Sequence, residues 1–167
     1  MKRVLILFFL FIYFSNTILC QPSWYPVNNF NPTPSFFYGI DASFINDSVG
    51  YVIGDNGIFL YKTTDKGETW DSISTNLQPI GYRSLAFAND TLGFIGTLNG
   101  SAPIRSFAKT LDGGHNWMTL VDSLLNPLDG VCGIEIFDNR VIAVGNWQGP
   151  GLFYKSDDWG TTWTIKN

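Results

Sequence analysis

The chain has 167 residues and a formal charge of −4, an acidic balance that argues against nucleic acid or anionic lipid surfaces as partners. Of its two cysteines only Cys132 lies beyond residue 20, which excludes an internal disulfide in a chain that has lost those first residues. There is one histidine, and no cluster of ligating residues suggests a metal or a cofactor.

Lys2-Arg3 gives the N-terminus a short basic start, and Val4 to Phe14 follows as an uninterrupted apolar run. Ser15-Asn16-Thr17 is polar, and Ile18-Leu19-Cys20-Gln21 offers a cleavage site. Residues 1–20 therefore read as a secretory signal peptide. A spanning helix needs about 20 apolar residues, so no membrane insertion is expected after cleavage. Cys20 invites a lipoprotein reading, but Leu19 is bulky where lipidation wants a small residue. The expected product lies outside the cytoplasm, secreted, periplasmic or at the cell surface. Loss of Lys2 and Arg3 takes its formal charge from −4 to −6.

Residues 21–38 hold Pro22, Pro26, Pro32 and Pro34 among aromatics and read as a lead-in. Within it Ser23-Trp24-Tyr25-Pro26-Val27 looks like Thr162-Trp163-Thr164-Ile165-Lys166, so Trp24 is a candidate closing strand.

Beyond residue 38 the chain repeats. Three units are expected at 39–80, 81–128 and 129–167, each with four short strands. Unit one takes Ile40–Ile45, Gly50–Ile53, Ile58–Thr63 and Thr69–Ile73. Unit two takes Tyr82–Ala88, Leu92–Thr97, Ile104–Thr110 and Asn116–Val121. Unit three takes Cys132–Phe137, Arg140–Val144, Leu152–Ser156 and Thr162–Ile165. Asn/Asp turns separate the first two strands of each unit. The next connection is the short Gly54-Asp55-Asn56-Gly57 in unit one, but a longer loop near Leu98–Pro103 and Asn146–Pro150 in the others. No segment shows helical periodicity, although 122–129 has room for one turn.

Between the last two strands of every unit stands Ser/Thr-x-Asp-x-Gly-x-x-Trp. The copies are Thr63, Asp65, Gly67, Trp70; Thr110, Asp112, Gly114, Trp117; and Ser156, Asp158, Gly160, Trp163. The Asp residues lie 47 and then 46 positions apart. The hydroxyl and carboxylate suit capture of backbone N–H groups in a tight turn. The glycine admits a positive φ. The Trp supplies a large apolar anchor whose N–H wants a partner. Four antiparallel strands at this period match a β-propeller blade, so the expected fold is all-β, a β-propeller with three four-stranded blades.

These copies resemble the BNR or Asp-box repeat. The run from Gly50-Tyr51-Val52-Ile53-Gly54 to Asp65-Lys66-Gly67-Glu68-Thr69-Trp70 is similar to the repeat of photosystem II assembly/stability-factor-like propellers. The resemblance covers about residues 38–167. It implies a structural turn on the blade periphery, which also occurs in sialidases, other glycosidases and sorting receptors. The assembly factors imply protein binding. Their role depends on a photosynthetic host and a basic patch, and this acidic sequence shows no such patch, so the resemblance brings the fold rather than the photosystem role.

Propellers typically have about four to eight blades. Three therefore suggest a fragment with further blades in a longer chain, with a self-assembled ring or an open stack as alternatives.

Sialidase chemistry, as the resemblance implies it, needs an arginine triad, an acid/base Asp and a Tyr–Glu pair. Arg83, Arg105 and Arg140 fall at non-equivalent unit positions, and only Glu68 and Glu135 are available. Asp41, Asp55, Asp129 and Glu135 are the carboxylates from which a glycosidase pair would be drawn. No catalytic residue is assigned. Cys132 reads as a small buried strand residue and His115 as a solvated turn residue. Trp147, on the loop at 146–150, is a possible partner contact, and Trp159 is a second tryptophan outside the repeat. The expected function is a secreted, non-catalytic binding or scaffolding module for a protein or glycan. A glycoside hydrolase with part of its site in missing blades is the alternative.

Overall fold

The computed structural model describes residues 30, 38–55, 59–76, 81–97, 107–120, 130–145 and 151–166. Within them lie twelve strands and no helix. The first sheet holds β1 (Tyr38–Phe44), β2 (Gly50–Asp55), β3 (Phe59–Thr63) and β4 (Asp71–Ser74). The second holds β5 (Tyr82–Phe87), β6 (Gly93–Thr97), β7 (Phe107–Thr110) and β8 (Trp117–Thr119). The third holds β9 (Val131–Phe137), β10 (Arg140–Gly145), β11 (Leu152–Ser156) and β12 (Thr164–Lys166). Each sheet is an antiparallel meander in chain order, so the chain is all-β with three four-stranded blades. The loop at 122–129, the connections near 98–103 and 146–150, and Trp24 lie outside the described residues.

The strands follow the apolar pattern with one systematic difference. β4 and β12 begin at Asp71 and Thr164, two residues after the predicted starts. Thr69 and Thr162 donate their N–H groups to Asp65 and Asp158, so the turn holds them back from the ladder.

β1 lies beside β5, and β5 beside β9. Two cores fill the joints between blades. Tyr51, Ile53 and Leu60 of blade one meet Leu85, Phe87 and Trp117 of blade two. Tyr51 stacks on Phe87 with centroids 3.7 Å apart. Phe94 and Phe107 of blade two meet Val131, Val141 and Trp163 of the third blade. β6 is buried along its whole length because it is sandwiched from both sides, and its sequence accordingly lacks alternation.

Each inner strand carries an equivalent bulge, at Ile40, Arg83 and Cys132. A bulge leaves one residue unpaired and re-aims its side chain. This corrects the reading of Cys132, which lies in a strand but is exposed rather than buried. Phe30, from the lead-in, packs edge-on against Tyr61 at 5.0 Å and Trp70 at 6.0 Å, on the face of blade one turned away from blade two.

Candidate functional site

The repeated turns are built alike. Thr63 Oγ1 donates to Asp65 Oδ1 at 2.8 Å and accepts the Gly67 N–H at 2.9 Å. Asp65 then accepts from Thr69 twice, N to Oδ1 at 2.9 Å and Oγ1 to Oδ2 at 2.6 Å. Thr110, Asp112, Gly114 and Asn116 repeat this set, with the Asn116 amide replacing the hydroxyl. Ser156, Asp158, Gly160 and Thr162 do so again. Gly67, Gly114 and Gly160 have φ of 92°, 97° and 72°. The residue before each is also left-handed, and two of these, Lys66 and Trp159, are not glycine. That conformation aims the N–H of Lys66, Gly113 and Trp159 at the hairpin carbonyls of Ser48, Thr91 and Asn139. Each turn is thereby tied to the first hairpin of its own blade.

The tryptophans share the place but not the surroundings. Trp70 Nε1 donates to Gly67 O at 3.0 Å and Trp117 Nε1 to Gly114 O at 2.8 Å. Trp163 Nε1 is buried with no partner among the described residues, while its ring packs on Phe107 at 5.1 Å.

Hydrogen bonds from Thr69, then Thr63, pull the Asp65 carboxyl down to about 2 from an ordinary 3.8. Asn116, then Thr110, does the same for Asp112, also to about 2. Thr162 and Ser156 depress Asp158 further still. A depressed carboxyl stabilises the fold above its unfolded value, and this is lost as pH falls through the folded value. Thermal melts stepped down from neutral pH are therefore expected to show a cooperative loss of Tm between 3.8 and about 2. Asp112→Ala is expected to flatten part of that limb. A Tm flat across the window would remove these carboxylates from the stability of the fold.

Among the described residues Arg83 and Arg140 stand at opposite ends of their blades, whereas Asp41 and Glu135 line one groove. Arg83 sits at the β5 bulge and donates to Tyr82 O at 3.1 Å. Arg140 stands at the opposite, hairpin end of its blade, where its Nε meets Asp157 Oδ1 at 2.7 Å. Lys155 joins the same carboxylate at 2.8 Å. Glu68 is exposed within its turn. Arg105, Asp129, Trp147 and the side chain of Asp55 lie outside the described residues.

Two grooves follow the inner strands. One, of about 270 Å³, is lined by Asp41, Ser43, Ala86 and Glu135 from β1, β5 and β9. Asp41 Oδ2 accepts the Leu85 N–H at 2.8 Å and Oδ1 accepts the Ala42 N–H at 2.9 Å. Ser43 Oγ accepts the Phe87 N–H at 2.9 Å. Asp41 therefore links two blades, and Glu135 is the other carboxylate among the described residues of this groove. The second groove, of about 340 Å³, lies at the hairpin end between Phe44, Phe87, Ile136, Asp138 and Trp159. Trp159 is 40% exposed there. Its signal in the sequence is a bulky residue at the position where the second copy of the repeat has Gly113, and the structure makes that position left-handed. Among the described residues no group of His, Cys, Asp or Glu is placed to hold a metal.

No family model and no curated protein matches the sequence. Solved structures do match. YCF48 bound to D1 peptide superimposes with a TM-score of 0.61 at 26% identity, over 79% of this chain and 42% of that one. YCF48 from Cyanidioschyzon merolae gives 0.56 at 23% identity, over 80% of this chain and 38% of that one. The Niastella koreensis GH74 enzyme gives 0.53 at 21% identity, over 75% and 22%. All three are β-propellers. The fold is a β-propeller fold. The chain spans less than half the length of each of these structures.

Proposed function

We propose that this chain is an exported, non-catalytic β-propeller module that binds a protein segment, with a glycan as the second ligand class. The observation that carries the reading is the engagement of its candidate chemistry in the fold. Asp65, Asp112 and Asp158 are held by their own turns, Asp41 by a joint between blades, and Arg140 by Asp157. Repetition argues the same way, because one active site needs one nucleophile or one acid. The likeness at 26% identity to a propeller solved with a peptide supports a protein ligand. The hairpin-end groove gives such a segment an apolar floor in Phe44, Phe87 and Trp159, with Asp138 at its rim. Because the chain is acidic, the ligand chemistry is a segment with apolar side chains and a cationic end rather than an anionic one.

Panning a random peptide library on the purified chain tests this. Selected peptides are expected to share apolar and basic positions and to lose binding on Trp159→Ala. Enrichment unaffected by that change would move the site elsewhere. The GH74 likeness, which reaches this chain through the fold alone, sets the competing test. Incubation with xyloglucan, sialosides and other glycans is expected to release no product. Hydrolysis abolished by Glu135→Gln or Arg83→Ala, with the fold intact, would replace the binding reading with an enzyme.

Export is the other element of the proposal. Mass spectrometry of the mature protein is expected to place its N-terminus near Gln21. A chain starting at Met1, or a diacylglycerol on Cys20, would contradict simple secretion.

A further inference from the structure

The first two blades share a hairpin that the third does not. Asn46-Asp47-Ser48 and Asn89-Asp90-Thr91 stand at equivalent places between the first and second strands of their blades. A backbone bond closes each loop, Ile45 N–H to Val49 O and Ala88 N–H to Leu92 O. Within the loop the asparagine side-chain carbonyl fixes the turn. Asn46 Oδ1 accepts the N–H groups of Ser48 at 2.9 Å and Val49 at 2.8 Å. Asn89 Oδ1 accepts those of Thr91 at 2.9 Å and Leu92 at 2.8 Å, and the Thr91 hydroxyl as well.

The amide nitrogen is left over. Among the described residues no hydrogen bond engages Nδ2 of Asn46 or Asn89, and both residues are exposed. Blade two has a described blade on each side, so Asn89 is exposed with both neighbours in place. An aspartate would accept the same N–H groups, so the turn alone does not account for an amide. Nor does it account for the Ser48 hydroxyl, which bonds to nothing among the described residues.

The third blade manages without either group. Phe137 pairs with Arg140, which leaves only Asp138 and Asn139 in the turn. Asn139 O still accepts the Trp159 N–H, as Ser48 O and Thr91 O accept those of Lys66 and Gly113. The Asn139 amide is engaged with Asp157 O, and Val141 stands two residues on, where blades one and two have a hydroxyl. The tie between hairpin and repeated turn therefore needs no Asn-x-Ser/Thr.

We propose that Asn46 and Asn89 are acceptors for an N-linked saccharide. Asn-x-Ser/Thr, with x other than Pro, is the acceptor sequence for that modification on the surface of exported proteins. Both tripeptides meet it, and each presents an exposed, unengaged Nδ2. A third Asn-x-Ser/Thr, at Asn99, lies outside the described residues. The donor is a saccharide carried on a lipid diphosphate. Nδ2 attacks the anomeric carbon, the bond from that carbon to the diphosphate oxygen breaks, and the Nδ2–C1 bond forms. One amide proton leaves with the diphosphate. Oδ1 keeps its N–H donors throughout, so the hairpin holds its shape with the saccharide in place. Both acceptors adjoin the hairpin-end groove, next to Ile45 and Ala88, and the saccharides border it. The inference rests on export of the chain, because transfer from such donors takes place outside the cytoplasm.

Mass spectrometry of the mature protein purified from its own cells tests this, because one measurement reads the N-terminus and the saccharides separately. The expected result is a chain beginning near Gln21 with fragment ions that place a saccharide on Asn46 and on Asn89. Asn89→Asp keeps the acceptor oxygen, so it is expected to keep its melting temperature and lose one saccharide. Thr91→Ala is expected to lose the same saccharide with Asn89 intact, and Thr91→Ser to retain it. A chain beginning near Gln21 with no saccharide overturns the modification and leaves export standing. A chain beginning at Met1 with none overturns both. Sugar released by alkali and located on the oxygen of Ser48 or Thr91 overturns the amide linkage. Full occupancy of Asn89 in Thr91→Ala overturns the tripeptide as the acceptor.

Discussion

Replacing Trp117 with Ala is expected to destabilise the chain by about 3–5 kcal/mol, the range for deleting a large buried aromatic side chain. Trp117 is 4% exposed and lies in the joint between blades one and two. Its ring meets Phe87 edge-on at 6.0 Å, and its Nε1–H is satisfied by Gly114 O. Its backbone is clasped from the neighbouring blade: Asn76 Oδ1 accepts the Trp117 N–H at 2.9 Å, and Asn76 Nδ2 donates to Trp117 O. Truncation leaves a cavity between two sheets whose strands are fixed by their ladders, so relaxation recovers little. Trp70 and Trp163 are only half-buried, and Trp163 lacks an N–H partner among the described residues. Their Ala variants are therefore expected to cost less. Urea unfolding followed by far-ultraviolet circular dichroism measures all three without depending on tryptophan emission. Equal losses for Trp70, Trp117 and Trp163 would show that the turn itself, rather than the joint it fills, sets the contribution.

That ordering was not legible in the sequence, although the three tryptophans were. Local chemistry repeats with the sequence: hydroxyl, carboxylate, glycine and indole recur at fixed spacing, so the turn and the flanking strands were readable from alternation and turn residues. Burial depends on which blade lies next door. Trp117 is buried in the joint between blades one and two, Trp163 is partly buried in the joint between blades two and three, and Trp70 meets Phe30 of the lead-in. Cys132 shows the same limit on a smaller scale. Its strand was readable, but the bulge that turns it outward follows from pairing with Val144 and Gly145 on β10. Asp41 shows it from the other side. A lone carboxylate on an inner strand looked available for chemistry, and only the adjacent blade reveals that it accepts the Leu85 N–H. Lys109 also needed a neighbour to be understood. It lies 5.7 Å over the Phe94 ring and bonds to Trp159 O, and desolvation there lowers its pKa, partly offset by Asp158. Sequence periodicity reports what each blade does for itself, and the joints report what blades do for one another.

The joint between blades two and three offers the sharpest test of that distinction. Gly96 is the penultimate residue of β6, opposite Ser84. Its φ is not left-handed, so backbone freedom does not explain the residue. Space does. A Cβ at this position would collide with Ser84 Oγ and the Val131 carbonyl, and would meet Val131 Cγ1 at 2.8 Å. Ile53 and Val144 hold the equivalent positions of the other blades, so blade chemistry alone does not demand glycine. The demand comes from the closeness of β9, whose first residue lies against β6. A carbonyl on a paired strand cannot swing aside as a side-chain tip would. Gly96→Ala is accordingly expected to force β9 away from β6 and to cost about 1–3 kcal/mol, the usual range for overpacking a filled core. Gly151→Ala provides the control, because a Cβ there meets nothing within 4 Å. It is expected to melt with the unaltered chain or slightly above it, since Ala restricts the unfolded chain more than Gly does. If Gly96→Ala also melted with the unaltered chain, β9 would have to lie farther from β6 than this structure places it, and the second joint would be looser than the first.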